Sequence, residues 1–137
     1  MKNLILLLLL PIIGHSQTIF YDIDTKQIGV SIQQEIKISK PIKALTAIRY
    51  QKYMTNFDIM LGRDIYYDDF TISLFIGESL VFTHYQQTKP SATAMLKVNY
   101  YIADNIKASA YYQPTLNDNL FKHTFQHQIG IGINLEL

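Results

Sequence analysis

The sequence predicts an all-β protein: an antiparallel up-and-down barrel of eight strands that follows an N-terminal leader. Three observations predict this fold class. Apolar residues alternate with small or polar ones in segment after segment, no helical periodicity longer than two turns follows the leader, and the connections fall into two sets. An even number of strands leaves both chain ends on one side, the side of the set that contains two tight turns.

The N-terminal leader is the first element to assign. Lys2 supplies a positive charge, residues 4–13 form an apolar run broken by one proline, and Gly14-His15-Ser16-Gln17 follows. The run is shorter than the roughly 20 residues that a membrane-spanning helix needs. Its arrangement is typical of a secretory signal peptide, and a membrane anchor or a buried strand is the alternative. We therefore expect residues 1–17 to be removed and residues 18–137 to form the barrel domain.

The strands and connections of this domain follow from the period-two alternation. The closing strand, for example, places Ile129, Ile131 and Ile133 opposite Gly130 and Gly132. The predicted strands cover residues 18–23, 27–38, 42–50, 56–61, 70–84, 91–102, 106–113 and from about 121 or 125 to 137. One set of connections is residues 39–41, 62–69 and 103–105, of which the first and the last are tight turns, and the other set is residues 24–26, 54–55, 86–90 and 114–120.

The composition limits the possible partners and sources of stability. Lysine and arginine number 12 against 11 acidic residues, so the chain without Lys2 is formally neutral, which argues against nucleic acid as a partner. Small exported proteins often rely on disulfides, but this chain has no cysteine, and a closed sheet in lipid is another source of stability. Ten tyrosines suit a water–lipid boundary, although tyrosine is also a good strand residue.

The composition of the face opposite the aliphatic residues indicates which face of each strand points outward. It is dominated by Gly, Ser, Thr, Asn and Gln, as expected for the packed interior of an eight-stranded barrel. In lipid, strands of about 9–11 residues must close into a barrel to satisfy their backbone groups. We therefore expect the aliphatic face to meet hydrocarbon and the polar face to line the lumen. Its isolated charges are Glu35, Lys37, Lys43, Arg49, Asp58, Lys97, Lys107 and Glu136.

Three segments carry a resemblance to a known family: the terminal IGIGINLEL, the hairpin VNYYIADNIKASAYY and the hairpin KISKPIKAL. In pattern they resemble the small outer-membrane β-barrel proteins of Gram-negative bacteria, of the OmpA/OmpX type. The resemblance implies short periplasmic turns, longer outer loops and both termini inside. The chain departs from the family in ending with Leu137, where such proteins commonly carry an aromatic residue.

Glu78 is the residue that fits the pattern least, because it interrupts an otherwise apolar face of the predicted strand 70–84. Gly77 before it suggests a β-bulge that re-aims the side chain, which is the interpretation we favour. Alternatively, Gly77-Glu78-Ser79 is a hairpin turn, which would split the segment and break the even strand count.

Candidate chemistry is sparse. His123 and His127 would lie about 13 Å apart on one face of a strand, so interface histidines are favoured over metal ligands. His84, near Glu78, Ser79 and Ser91, is the candidate centre of a lipid-modifying enzyme, but the His-x-Ser-Asn pattern of such barrels is absent. We predict no catalytic, cofactor-binding or metal-binding residues.

The sequence thus predicts a protein of the cell outer membrane that contacts outer-membrane lipid and is not an enzyme. Its role would be structural or adhesive, or would consist of binding through the loops at 86–90 and 114–120. Two alternatives stay open: a soluble periplasmic β-barrel that binds a small apolar ligand, and a lipid-modifying outer-membrane enzyme centred on His84.

Overall fold

The chain forms a closed barrel of eight antiparallel strands in the computed structural model, which describes residues 15–52, 54–66, 69–83, 89–119 and 122–135. Each strand pairs with its neighbours in sequence, and the last pairs with the first, which confirms the predicted fold class. No helix among the described residues is long and apolar enough to cross a membrane. The strands are β1 (His15–Asp22), β2 (Gln27–Ser39), β3 (Ile42–Gln51), β4 (Met54–Tyr66), β5 (Phe70–Thr83), β6 (Lys89–Ala103), β7 (Ile106–Asn119) and β8 (Lys122–Leu135).

The two sets of connections lie at opposite ends of the barrel, as the sequence predicts. The lower end carries the tight turns at Lys40–Pro41 and Asp104–Asn105, together with the start of β1 and the end of β8. The upper end carries the connection at residues 23–26, which passes through Lys26 at a positive φ of 57°. β1 begins at His15 and therefore includes residues that we assign to the leader, whose removal stays a prediction.

Three predicted connections, residues 54–55, 62–69 and 114–120, are wrong because strands continue through all or most of them, and residues 54–55 already belong to β4. β4 runs on to Tyr66 instead of ending near Leu61, because Asp64 turns inward and Ile65 outward in unbroken alternation. β7 includes most of the predicted loop 114–120: residues up to Asn119 pair with β8. Pro114 lacks an N–H, but it faces β6 where the pairing skips, so the strand tolerates it.

The segment around Gly77 forms neither the bulge nor the turn that we expect from the sequence. β5 passes straight through it, with Gly77 opposite Met60 and Thr93, and Glu78 opposite Ile59. The glycine instead permits a close approach of the backbones, since a Cβ placed on it would lie 2.0 Å from the carbonyl oxygen of Ile59.

The predicted orientation of the two faces is confirmed. Leu74, Leu96, Ile129 and Ile133 would meet at the centre of a soluble β-sandwich, yet their exposed fractions are 51%, 42%, 50% and 58%. The polar residues between them point into the lumen and are mostly buried. Lys37 is the exception among the described charges predicted to be inside, because it lies exposed near the lower end of β2, where the pairing with β3 shifts.

Candidate functional site

The lumen contains two groups of charged residues, and the first surrounds Arg49. Its Nε and Nη2 donate to the two carboxylate oxygens of Asp58 at 2.6 and 2.8 Å, a bidentate pair in which both residues are 1% exposed. Arg49 also donates to Ser79 Oγ at 3.1 Å and to the side-chain oxygen of Gln128. Gln113 Nε2 donates to Asp58 Oδ2 at 3.2 Å, so the pair is held from β3, β4, β5, β7 and β8.

Asp22 joins this upper cluster to the upper end of the barrel. Its Oδ1 accepts the backbone N–H groups of Asp24 and Thr25 at 3.0 and 3.1 Å, which fixes the turn between β1 and β2. Its Oδ2 accepts hydrogen bonds from the side chains of Gln126 and Gln128. The upper turn is therefore anchored in the same network as Arg49.

The lower cluster surrounds Glu35. Its carboxylate lies 2.8 Å from Lys43 Nζ, 3.0 Å from Lys97 Nζ and 4.0 Å from Lys107 Nζ. Asp64 lies 2.9 Å from Lys43 Nζ and accepts a hydrogen bond from Ser73 Oγ at 2.6 Å. Lys97 comes from β6 and Glu35 from β2, on opposite walls of the barrel, so these ion pairs cross the lumen.

Apolar side chains separate the two clusters on several strands. Along β3 the inward residues run from Lys43 through Leu45 and Ala47 to Arg49. Three inward aromatic rings each pack over a glycine of a neighbouring strand, where any Cβ would collide with the ring. These cross-strand pairs are Phe20–Gly29, Phe75–Gly62 and Tyr111–Gly130, and the buried apolar cluster is Phe20, Leu45, Ala47, Met60, Phe75, Met95 and Tyr111.

The described interior is filled by interlocked ion pairs and hydrogen bonds. Ser79 and Ser91 point into the lumen, whereas Glu78 points outward, so the strand itself separates the residues proposed to assist His84. His84 lies outside the described residues. Within the described ranges, no group of three or more His, Cys, Asp or Glu side chains could hold a metal ion.

His127 lies on the outer wall beside Tyr112. The two rings stack with centroids 5.9 Å apart, and Tyr112 Oη lies 2.5 Å from His127 Nδ1. The backbone N–H of His127 donates to Asp24 at 2.6 Å. The side chain of His123 lies outside the described residues, so its placement on the same face as His127 stays a prediction.

Aromatic residues bracket the outer wall in two bands. The upper aromatic band lies near the upper ends of β1, β3, β4 and β5, where Phe57 and Phe82 form an edge-to-face pair with centroids 5.3 Å apart. Between the bands the outward residues are mainly aliphatic. The upper band is Tyr21, Tyr50, Phe57 and Phe82, the lower aromatic band is the cross-strand pair Phe70 and Tyr100, and the aliphatic band includes Ile48, Ile59, Leu61, Leu74, Ile76, Leu96, Val98, Ile129, Ile131 and Ile133.

The two outward charges of β4 and β5 lie toward the edges of the aliphatic band. Glu78 is one outward position from Leu80, the partner of Phe57 in the upper aromatic band. Arg63 is one outward position from Ile65, whose cross-strand partner Ile72 is one outward position from Phe70 of the lower aromatic band. Charges cost far less near a membrane interface than at the midplane, which explains how both positions are compatible with a lipid-facing wall.

Sequence reasoning missed two members of the charge clusters. Asp22 lies within the predicted first strand but is not among the predicted inward charges, and Asp64 is expected in a connection, yet both are buried in the lumen. The signal for Asp64 was present, since Ile65 and Arg63 flank it in continued alternation. The same alternation places Asp22 inward between Tyr21 and Ile23, but its partners on β8 cannot be read from the local sequence.

Comparisons with known proteins agree with this architecture. No protein-family model matches the chain, and no curated protein matches its sequence. A de novo designed transmembrane β-barrel is similar at a TM-score of 0.70 and 13% identity, covering 92% of this chain and 98% of that one. The fold is the one that small transmembrane barrels share.

Two natural barrels are similar at the same level. The N-terminal β-barrel domain of Pseudomonas aeruginosa OprF matches at a TM-score of 0.62 and 13% identity, over 90% of this chain and 98% of that one. The Yersinia pestis outer membrane protein Ail matches at a TM-score of 0.57 and 10% identity, over 86% and 96%. At these identities the likeness concerns the fold, and the predicted resemblance to small outer-membrane barrels is confirmed at that level.

Proposed function

We propose that the chain is an outer-membrane β-barrel protein with a structural, adhesive or loop-mediated binding role and without catalysis. The observation that carries this proposal is the outer wall of the closed sheet: a broad aliphatic band with outward aromatic residues near its upper and lower edges. Transmembrane barrels have this outward pattern, with an apolar band about 25 Å tall between aromatic girdles. Exposure of this wall to water would be unfavourable, because an apolar surface of this size marks a site of protein association or membrane contact.

The lumen supports the same proposal and disfavours a soluble carrier of an apolar ligand. Such a carrier would need an apolar cavity, whereas Arg49, Asp58, Glu35 and Lys97 fill the centre with ion pairs. The hydrogen bond from Lys97 on β6 to Glu35 on β2 joins opposite walls, so side chains cross the interior. Binding to other molecules would then fall to the ends and the outer wall.

The upper end supports a surface-exposed role. Among the described residues, β7 and β8 beyond Thr115 and Gln126 pair with each other alone, from Leu116–Phe125 to Asn119–Lys122. Four residue pairs extend a two-stranded ribbon by about 13 Å. We propose that this upper hairpin projects from the outer surface and presents the binding or adhesive face.

Membrane insertion is testable by extraction and by gel mobility. We expect the full chain to stay in the membrane fraction after alkaline carbonate treatment and to migrate differently on gels before and after boiling. A closed barrel resists detergent until heated, which gives the mobility difference. Release of the protein by osmotic shock, or a single mobility with and without heat, would contradict the proposal.

Orientation is testable by labelling, because the chain has no cysteine of its own. We expect Thr25→Cys, in the upper turn, to react with a membrane-impermeant maleimide on intact cells. Asn105→Cys, in a lower turn, is the matched variant and should react only after the cells are broken. The reverse pattern would place the lower end outside and remove the proposed role of the upper hairpin.

A further inference from the structure

One wall of the barrel carries polar side chains within the aliphatic band. Gln34 of β2 points outward and is exposed, and Thr46 of β3 is its direct cross-strand partner. Gln17 of β1 lies on the same outward face, below Ile19. These three residues, here called the outer polar patch, lie on adjacent strands.

Two residues of the outer polar patch, Gln34 and Thr46, lie at mid-depth, and Gln17 lies nearer the lower end of β1. Gln34 is the eighth of the 13 residues of β2, and Thr46 is the fifth of the 10 residues of β3. The described outward residues of β6 to β8 at similar depth are apolar, such as Leu96, Ala110 and Ile131. The patch is therefore a feature of one wall only, with β1 to β3 as its support.

In a lipid-facing position, the side-chain amide of Gln34 lacks the hydrogen-bond partners that water would provide. Among the residues whose side chains are described, none hydrogen-bonds with the Gln34 carboxamide. Lipid tails offer neither donors nor acceptors, and an unsatisfied polar group in hydrocarbon costs several kcal/mol. A partner that brings its own hydrogen-bonding group to mid-depth would relieve this cost.

A second copy of the chain meets this requirement directly. A twofold axis along the membrane normal brings the same residue of both copies to the same depth. A carboxamide has both a donor and an acceptor, so two glutamines can pair with each other, which two lysines or two glutamates could not. The neighbouring outward residues Ala44 and Thr46 are small and permit a close approach.

We propose that the outer polar patch is the contact surface of a homodimer within the membrane, in which Gln34 hydrogen-bonds with Gln34 of the second copy. This proposal rests on the proposed membrane insertion of the barrel. It assigns the β1–β3 wall to the dimer and leaves the opposite wall, around Leu96, to lipid.

Association can be measured by energy transfer in liposomes. Full-length protein with Asn105→Cys carries a donor or an acceptor dye, and the protein-to-lipid ratio is varied. We expect Gln34→Leu to raise the dissociation constant of the dimer about tenfold, the effect of losing two hydrogen bonds between chains in lipid. Gln34→Asn keeps an amide and should retain part of the association, and Leu96→Met on the opposite wall should leave it unchanged.

The position of the contact can be tested by cross-linking. We expect Gln34→Cys to form a disulfide-linked dimer under mild oxidation in liposomes, whereas Leu96→Cys, at similar depth on the opposite wall, stays monomeric. Equal cross-linking of both variants would overturn the assignment of the wall. Association of Gln34→Leu as tight as that of the unmodified chain would overturn the role of the amide.

The outcome for insertion is read separately on the same samples. Carbonate resistance and a heat-dependent gel shift show whether each variant is a folded, inserted barrel. An inserted barrel that remains monomeric at every protein-to-lipid ratio overturns the dimer alone. A protein that fails both insertion assays overturns the proposed function and the dimer with it.

Discussion

Replacement of Arg49 by leucine is expected to destabilise the barrel by about 3–5 kcal/mol, the cost of removing one partner from a buried ion pair. Asp58 would remain in the lumen with Gln113 as a neutral donor, and Gln128 and Ser79 would lose the guanidinium that they contact. The measurement is urea unfolding in liposomes, followed by the heat-dependent gel shift.

The double variant Arg49→Leu/Asp58→Leu is the control for this result. It removes both charges, so the uncompensated carboxylate disappears, and we expect it to recover most of the lost free energy of unfolding. If the double variant is as unstable as Arg49→Leu alone, then the loss comes from packing around Arg49 and not from an unpaired Asp58.

Replacement of Gly77 by alanine is the second large expected effect, a loss of about 3 kcal/mol in the free energy of unfolding. The new Cβ would lie 2.0 Å from the carbonyl oxygen of Ile59 and 2.6 Å from the Cα of Met60. Both atoms belong to the backbone of β4, so relief requires movement of a paired strand rather than rotation of a side chain. The same urea titration measures it.

Ala92→Gly is the matched control for this prediction. Ala92 pairs with Glu78, points outward and has no comparable crowding. Its change should cost only about 0.5–1 kcal/mol, the ordinary difference between alanine and glycine in a strand. Equal losses for the two variants would mean that Gly77 is not a point of close approach.

The alternation of apolar and polar residues predicted the fold well, because all residues on one face of a strand point outward and all residues on the other face point into the lumen. It failed where one residue seemed to argue against a strand. Pro114 suggested a loop, but a proline is tolerated where no ladder hydrogen bond is needed from its nitrogen. Gly77 suggested a bulge, but a glycine also serves where two backbones come close, and the local sequence is the same in both cases.

The candidate site was predictable in composition but not in its pairings. The inward charges Glu35, Lys43, Arg49 and Asp58 follow from their alternation, and the nearby pairs join adjacent strands. The contact between Glu35 and Lys97 cannot be predicted from alternation, because it depends on the register of every intervening strand around the closed barrel. A shift of that register by two residues would keep all faces correct and move the two charges apart.

The ion pairs that cross the lumen constrain the order of assembly. Lys97 and Lys107 reach their carboxylate partner Glu35 only when β6 and β7 stand opposite β2. A partly formed sheet made of the C-terminal strands would carry these two ammonium groups toward hydrocarbon without a counterion. Closure of the ring and passage into the bilayer are therefore expected to occur together, as one concerted event rather than hairpin by hairpin.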